Sequence, residues 1–129
     1  MNNGLNKVTV FDNYEIVKAE PGEAILTSVV TEDSLNLYGI AHGGYLYTLC
    51  DTVSGMAALQ YGVYVVTLSS SMNFMEAAQK GDTVTVHAVC IHNGMKTKVM
   101  HTTVTNQKGE QLCDSTFTMY VTGRIEETE

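Results

Sequence analysis

Apolar and polar residues alternate over short stretches at the start of the chain. Tyr14-Glu15-Ile16-Val17-Lys18 and Ala24-Ile25-Leu26-Thr27-Ser28-Val29-Val30 each carry a strand pattern, and the Glu20-Pro21-Gly22-Glu23 turn between them predicts a hairpin. Residues 31–43 are polar, contain glycine, show no period and read as a loop. The period then changes. From Tyr45 to Gln60, Leu46, Leu49, Cys50, Val53, Met56 and Ala57 recur at helical spacing. Gly44, Thr48, Asp51, Thr52, Gly55 and Ala58 form a second face of small residues, so both faces can pack closely and the helix should be central. Gly55 inside it costs up to about 1 kcal/mol relative to alanine, which predicts that some group approaches the backbone there.

Past Gly62 the two-residue period returns. Val63 to Leu68 opens a long strand running towards Met75, and Thr83 to Ile91 follows the Lys80-Gly81-Asp82 turn. Asn93-Gly94 is a hairpin signal before Thr97 to Val104, and Lys108-Gly109 turns the chain into a last strand from Gln111 to Thr122. The predicted order is β-β-α-β-β-β-β, an α+β layer with one long central helix wrapped by an antiparallel sheet.

Length and composition narrow the class. A chain of 129 residues suits one domain, taken as 1–129 with its core at about 14–124. No apolar run reaches the roughly 18 residues of a membrane span, and Met1-Asn2-Asn3-Gly4 lacks a signal-sequence pattern. With 7 Lys+Arg against 14 Asp+Glu the formal charge is −7, which argues against a nucleic-acid partner. Cys50, Cys90 and Cys113 are odd in number and widely spaced, a pattern of reduced thiols in a cytoplasmic protein.

The segment richest in chemistry is Asn36-Leu37-Tyr38-Gly39-Ile40-Ala41-His42-Gly43-Gly44, followed by Asp51 within the helix. Two glycines at a helix start let another group reach the N–H donors of the first turn, where the helix dipole stabilises a developing oxyanion. An ionised Asp51 can activate water or attack an acyl carbon. The same residues also read as a flexible loop, a helix-capping His42 and a surface carboxylate.

Asn-x5-His-Gly-Gly-x6-Asp, with Gly55, Ala57 and Ala58 further on, resembles the hotdog-fold acyl-CoA thioesterases of the phenylacetate-degradation (PaaI-like) type. The resemblance spans about Tyr14 to Arg124 and the element order fits. It implies hydrolysis of an acyl-CoA to the free acid and coenzyme A, with no cofactor. By position it implies Asp51 as general base or nucleophile, Gly43 N–H on the thioester carbonyl, and Asn36 and His42 ordering the loop and the substrate or water. Thr67 stands where related enzymes often carry a serine, and Met75-Glu76-Ala77 replaces a frequent arginine-proline pair. Gly44 is the alternative donor. Lys96, Lys98 and Arg124 are candidates for the coenzyme A phosphates, or else solvated charges. Gly43 and Asp51 lie about 12 Å apart along a helix, too far for one carbonyl. An antiparallel partner helix would join them, and the resemblance likewise implies homodimers, as such or as a dimer of dimers.

Other residues offer less. His87, His92 and His101 lack a recognisable metal-ligand pattern, and His87 differs in parity from Cys90 and His92 on a regular strand. Cys50 lies on the apolar helix face and reads as core. Met72, Met75, Met95, Met100 and Met119 read equally as an adaptable acyl tunnel and as core filling. The rival functions are a non-catalytic acyl-CoA binder and a hotdog dehydratase or hydratase.

Overall fold

The computed structural model describes residues 12–126; the Met1–Gly4 stretch read for a signal lies outside them. In chain order the elements are β1 (Tyr14–Glu20), β2 (Glu23–Val29), a single 3-10 turn (Glu32–Ser34), α1 (Gly43–Leu59), β3 (Val63–Phe74), β4 (Thr83–Asn93), β5 (Thr97–Thr105) and β6 (Gln111–Arg124). This is the predicted order. The six strands form one sheet, β1-β2-β4-β5-β6-β3, with antiparallel neighbours throughout. Helix α1 lies against all six strands. One helix held by one sheet is the hotdog arrangement.

Burial explains why these periods were readable. On β5, Lys98, Met100, Thr102 and Val104 point inward and the residues between them outward. The inward row meets Leu46, Leu49, Cys50, Val53 and Ala57 of the helix, together with Leu26, Val86 and Phe117 of other strands, in one buried core. Each such large apolar side chain contributes about 1.5–3 kcal/mol through its removal from water. Thr102 and Ser115 are buried as well, and their hydroxyls satisfy each other at 2.7 Å. Pro21-Gly22 makes the first turn with Gly22 at φ 81°, a conformation glycine takes without strain. A side chain there would also strike the Tyr61 hydroxyl, 2.2 Å from the position of a Cβ.

Three expectations change. The helix begins at Gly43 instead of Tyr45, because the His42 side chain caps it, and it ends at Leu59. The expected close approach to Gly55 is absent among the described residues: a Cβ there would meet only Met119 Cε at 3.8 Å, an ordinary contact. Beta-strand parity on β4 fails past Cys90, where an irregularity between Cys90 and His92 shifts the register with β5.

Strand β3 closes one side of the sheet. Its Tyr64, Val66, Leu68 and Phe74 are all more than half exposed. A long apolar edge strand with unpaired backbone groups invites another strand.

Candidate active site

The predicted site residues fall into two groups within one chain. The first group surrounds the start of α1. Asn36 Oδ1 accepts from the backbone N–H of Tyr38 at 2.9 Å and of Ile40 at 3.3 Å, which folds the loop on itself. The loop returns through His42 N–H to Ser34 carbonyl, 2.7 Å, and reaches the helix. His42 Nδ1 then accepts from Gly44 N–H at 2.9 Å, so this ring nitrogen carries no proton. A Cβ on Gly44 would press on that nitrogen at 3.1 Å, which accounts for the second glycine.

Gly43 N–H, by contrast, has no hydrogen-bond partner among the described residues. It opens on a cleft of about 290 Å³ lined by Asn36, Ile40, Leu46, Phe74, Met75 and Glu76 among others. Phe74 leans over it, with a ring carbon 3.4 Å from where a Gly43 side chain would begin. Of the two glycines, only Gly43 therefore has a donor to offer a ligand.

The second group is Asp51 and Thr67. Thr67 Oγ1 donates to Asp51 Oδ1 and also lies 3.6 Å from Met119 Sδ. What aims Thr67 at the helix is a β-bulge. Along β3, Phe74, Met72 and Ser70 sit opposite the buried Cys113, Ser115 and Phe117, so even-numbered residues face the helix. Between Thr67 and Ser69 the register slips by one residue, Leu68 is the extra one, and Thr67 falls opposite the buried Met119. The bulge thus hands the inward face to odd-numbered residues. Ser70 makes a parallel link on the other side of the bulge, its hydroxyl 2.8 Å from the Tyr47 hydroxyl, and the Tyr47 ring packs on Phe117. Tyr47 and Asp51 are one helical turn apart, so two polar contacts fix one face of α1 against β3. Sequence reasoning missed Tyr47, Ser70, Phe74 and the bulge; the signal on offer was the Ser69-Ser70-Ser71 run that interrupts the apolar strand.

The remaining candidates separate. Lys98 is buried, its ammonium donating to Asn93 Oδ1 and to Gly94 carbonyl at 3.0 Å and sitting 4.7 Å above the Tyr61 ring. Exposed Arg124 lines the same cleft of about 360 Å³, while Lys96 is exposed on the adjoining hairpin. Burial pushes the Cys50 thiol up to about 12 and Cys113 up to about 11, so both stay protonated and inert. His87 pairs with Glu23 at 2.7 Å and His101 with Asp114 at 2.5 Å. Among the described residues no three His, Cys, Asp or Glu groups converge on a point where a metal would sit. Met100 and Met119 are core, Met72 is half-buried, Met75 lines the Gly43 cleft, and Met95 is exposed on the hairpin.

Comparison with known proteins follows the same geometry. The thioesterase superfamily model matches residues 38–113, from the loop before His42 to the start of β6. Acyl-coenzyme A thioesterase PaaI of Escherichia coli is 32% identical over 94 residues, 73% of this chain and 67% of that protein. A hypothetical thioesterase protein of Streptococcus pneumoniae TIGR4, solved with coenzyme A, is 44% identical with a TM-score of 0.91, covering 95% of this chain and 98% of that one. A Streptococcus mutans UA159 protein bound to acetyl CoA is also 44% identical, with a TM-score of 0.88 and the same coverage. The pneumococcal protein has also been solved with one aspartate, and separately one threonine, replaced by alanine; those two positions are sixteen residues apart, as are Asp51 and Thr67. The chain belongs to the thioesterase superfamily, in line with the PaaI-like resemblance of its sequence.

Proposed function

We propose that the chain hydrolyses acyl-CoA thioesters at a site shared between two copies of itself, with Asp51 from one copy and Gly43 N–H from the other. The observation that carries this reading is the split of the candidate residues into an unpaired N–H donor at the helix start and a Thr67-held carboxylate eight residues later. The relatives that bind coenzyme A and acetyl CoA support the substrate class. The exposed edge of β3 supports a second copy: antiparallel β3 strands continue one sheet into the next and bury the exposed Tyr64, Val66 and Leu68.

In this scheme the thioester carbonyl oxygen accepts from Gly43 N–H at the positive end of α1. As the tetrahedral intermediate forms, negative charge gathers on that oxygen, and such a donor is worth roughly 10²–10³ in kcat. Asp51 either takes a proton from water, whose hydroxide adds to the carbonyl carbon, or adds to that carbon itself. The first route returns the Asp51 proton to the departing coenzyme A thiolate as the C–S bond breaks. The second expels coenzyme A as its thiolate and leaves an acyl-aspartyl anhydride; water then cleaves the anhydride to the acid, frees Asp51 and supplies the proton that the thiolate takes up. Thr67 holds the carboxylate, Asn36 and His42 hold the loop, and Gly44 N–H stays in the cap. Arg124 and Lys96, exposed near the Lys98 cleft, supply positive charge for the phosphates of coenzyme A. No helix among the described residues is long and apolar enough to cross a membrane, and the three free cysteines support a cytoplasmic setting.

The test is complementation between two inactive variants. Asp51→Asn keeps side-chain size but removes the base, a loss expected at ~100-fold or more. Asn36→Ala unlocks the loop that presents Gly43. Purified through two different affinity tags, the mixed dimer carries one site with both defects and one with neither, so about half of wild-type activity returns. A mixed dimer as inactive as its parents, intact by size and tag content, refutes the shared site. If Asn36→Ala alone stays active, Gly43→Pro takes its place.

A further inference from the structure

Two hydroxyls of β3 reach one face of α1 although a regular strand would turn them to opposite sides. Thr67 and Ser70 are three residues apart, and an odd separation on a regular strand sends side chains to opposite faces of the sheet. Here Thr67 donates to Asp51, and the Ser70 hydroxyl lies 2.8 Å from that of Tyr47. We infer that Tyr47 and Ser70 are positioning residues for the Asp51 carboxylate, the second rung of a ladder whose first rung is Thr67, an inference that rests on the acyl-CoA reading above.

Spacing is the first argument. Tyr47 and Asp51 are four residues apart, about 6 Å along a helix. The step from Thr67 to Ser70 would span about 10 Å on a regular strand. The extra residue at Leu68 shortens it. Thr67 sits opposite Met119 and Ser70 opposite Phe117, so three residues of β3 match two of β6, about 7 Å. One bulge therefore corrects parity and length together and brings the strand into step with one helical turn. Support beneath each rung is the second argument. The Tyr47 ring packs on Phe117 with 5.2 Å between centroids, and Phe117 is the buried residue opposite Ser70. Met119, buried opposite Thr67, lies 3.6 Å from its Oγ1. Each rung stands on a buried side chain of β6.

The sequence after the bulge is the third. Ser69, Ser70 and Ser71 follow Leu68 in a row, so moving the extra residue along β3 would still leave a serine facing the helix. An edge strand with little burial pattern specifies its register weakly. Tyr47, bonded to Ser70 and packed on the residue opposite it, makes the choice. With the extra residue confined to Leu68, the bend of the strand falls beside Thr67, whose hydroxyl is held against Asp51.

The experiment measures kcat and KM of the full-length protein for acetyl- and decanoyl-CoA in wild type, Tyr47→Phe, Ser70→Ala, Ser70→Thr and Ser71→Ala. Melting temperature and oligomeric size are recorded for each, and Tyr47→Phe is repeated in a Thr67→Val background. A hydrogen bond between neutral groups is worth about two- to tenfold, so Tyr47→Phe and Ser70→Ala should each lower kcat roughly fivefold and leave KM near wild type. Ser70→Thr keeps the hydroxyl and should keep the rate. Ser71, opposite Thr116 and turned the other way, should tolerate alanine. Once Thr67 has lost its hydroxyl the second rung has nothing left to aim, so adding Tyr47→Phe should lower kcat by less than about twofold more. A kcat within about 1.5-fold of wild type in both Tyr47→Phe and Ser70→Ala overturns the inference. So do losses that multiply in the double variant, a rise in KM with kcat unmoved, or an equal loss in Ser70→Thr or Ser71→Ala. If Tyr47→Phe does not fold, Ser70→Ala carries both the single and the double comparison. Wild type that cleaves neither ester brings down the acyl-CoA reading and this inference with it, a result distinct from all of these.

Discussion

Replacing Thr67 by valine removes one oxygen and keeps the branched shape of the side chain, so it isolates the hydrogen bond to Asp51. Among the described residues that bond alone links the helix carboxylate to β3, since the neighbouring contact of Thr67 is to the soft sulfur of Met119 at 3.6 Å. A hydrogen bond to a charged group contributes about 1.5–3 kcal/mol, or roughly ten- to 150-fold. Thr67 and Asp51 are partly open to water in the single chain, which places the effect near the lower limit, about tenfold. In the proposed mechanism the bond orients the carboxylate towards water or the acyl carbon, so the loss should fall on kcat and leave KM near its wild-type value. Thr67→Ser, which keeps the hydroxyl, should recover most of the rate. The assay is initial-rate hydrolysis of decanoyl- and acetyl-CoA with a thiol-detecting readout, on protein whose circular dichroism and melting temperature match wild type. If Thr67→Val retains kcat within twofold of wild type, the hydroxyl does not position Asp51. If Thr67→Ser falls as far as Thr67→Val, the methyl and not the oxygen matters, and the bulge-directed contact has been misread.

Two further outcomes follow from the geometry. Hydrogen bonds from Lys18, and then His87, hold the Glu23 carboxyl at about 2 against an ordinary 4.5; being lowered in the folded state, it contributes stability in full above pH 4.5 and loses it as pH falls towards 2. Thermal melts of Glu23→Gln should therefore show a flatter acid limb than wild type across that window, and identical limbs would remove Glu23 from the acid response. Antiparallel helices that set residue 43 of one copy opposite residue 51 of the other set residue 47 opposite itself, so Tyr47→Cys should link into dimers with a short bis-maleimide. Wild type, with Cys50 and Cys113 buried, is the control, and equal dimer yield in both would refute that helix pairing.

Most of the fold was legible because burial writes its period into the sequence. The β5 alternation from Lys98 to Val104 and the helix positions from Leu46 to Ala57 are what a sheet and a helix around one core require. Lys98 itself shows a limit: its charge made it a candidate for the coenzyme A phosphates, but it alternates inward with Met100 and is buried with its ammonium satisfied by Asn93 and Gly94. The apolar period sets in only at Tyr45, because glycines at the first two helical positions give no period to read, but the reading of His42 as a cap and of Gly43-Gly44 as a helix start matches the structure. The bulge at Leu68 was illegible for a different reason. An edge strand exposed on both faces carries little burial pattern, so one extra residue leaves no break in it. Gly43 and Asp51 stood out by their chemistry at the helix, and Asn36 and Thr67 were implied by position in the resemblance, yet neither tells that Thr67 turns inward only because Leu68 is extra.

The direction of the helix N–H groups explains why the proposed site needs a second copy. In a helix those donors point towards its N-terminus, so an oxyanion held by Gly43 lies ahead of the first turn, beyond the helix and not beside it. Asp51 sits eight residues on, about 12 Å along the axis, and its side chain leans back by only part of a turn. No rotamer of Asp51 spans that distance. Reversing a second helix against the first removes the deficit, because the start of each helix then passes the carboxylate of the other. Under that symmetry the axis passes near Tyr47, which is hydrogen-bonded to Ser70, two residues from the Leu68 bulge near the middle of β3. A two-fold that pairs the two helices through residue 47 therefore also centres the pairing of the two β3 edges. In the proposed dimer the helix pairing and the strand pairing, argued from different residues, therefore call for an axis in the same part of the molecule.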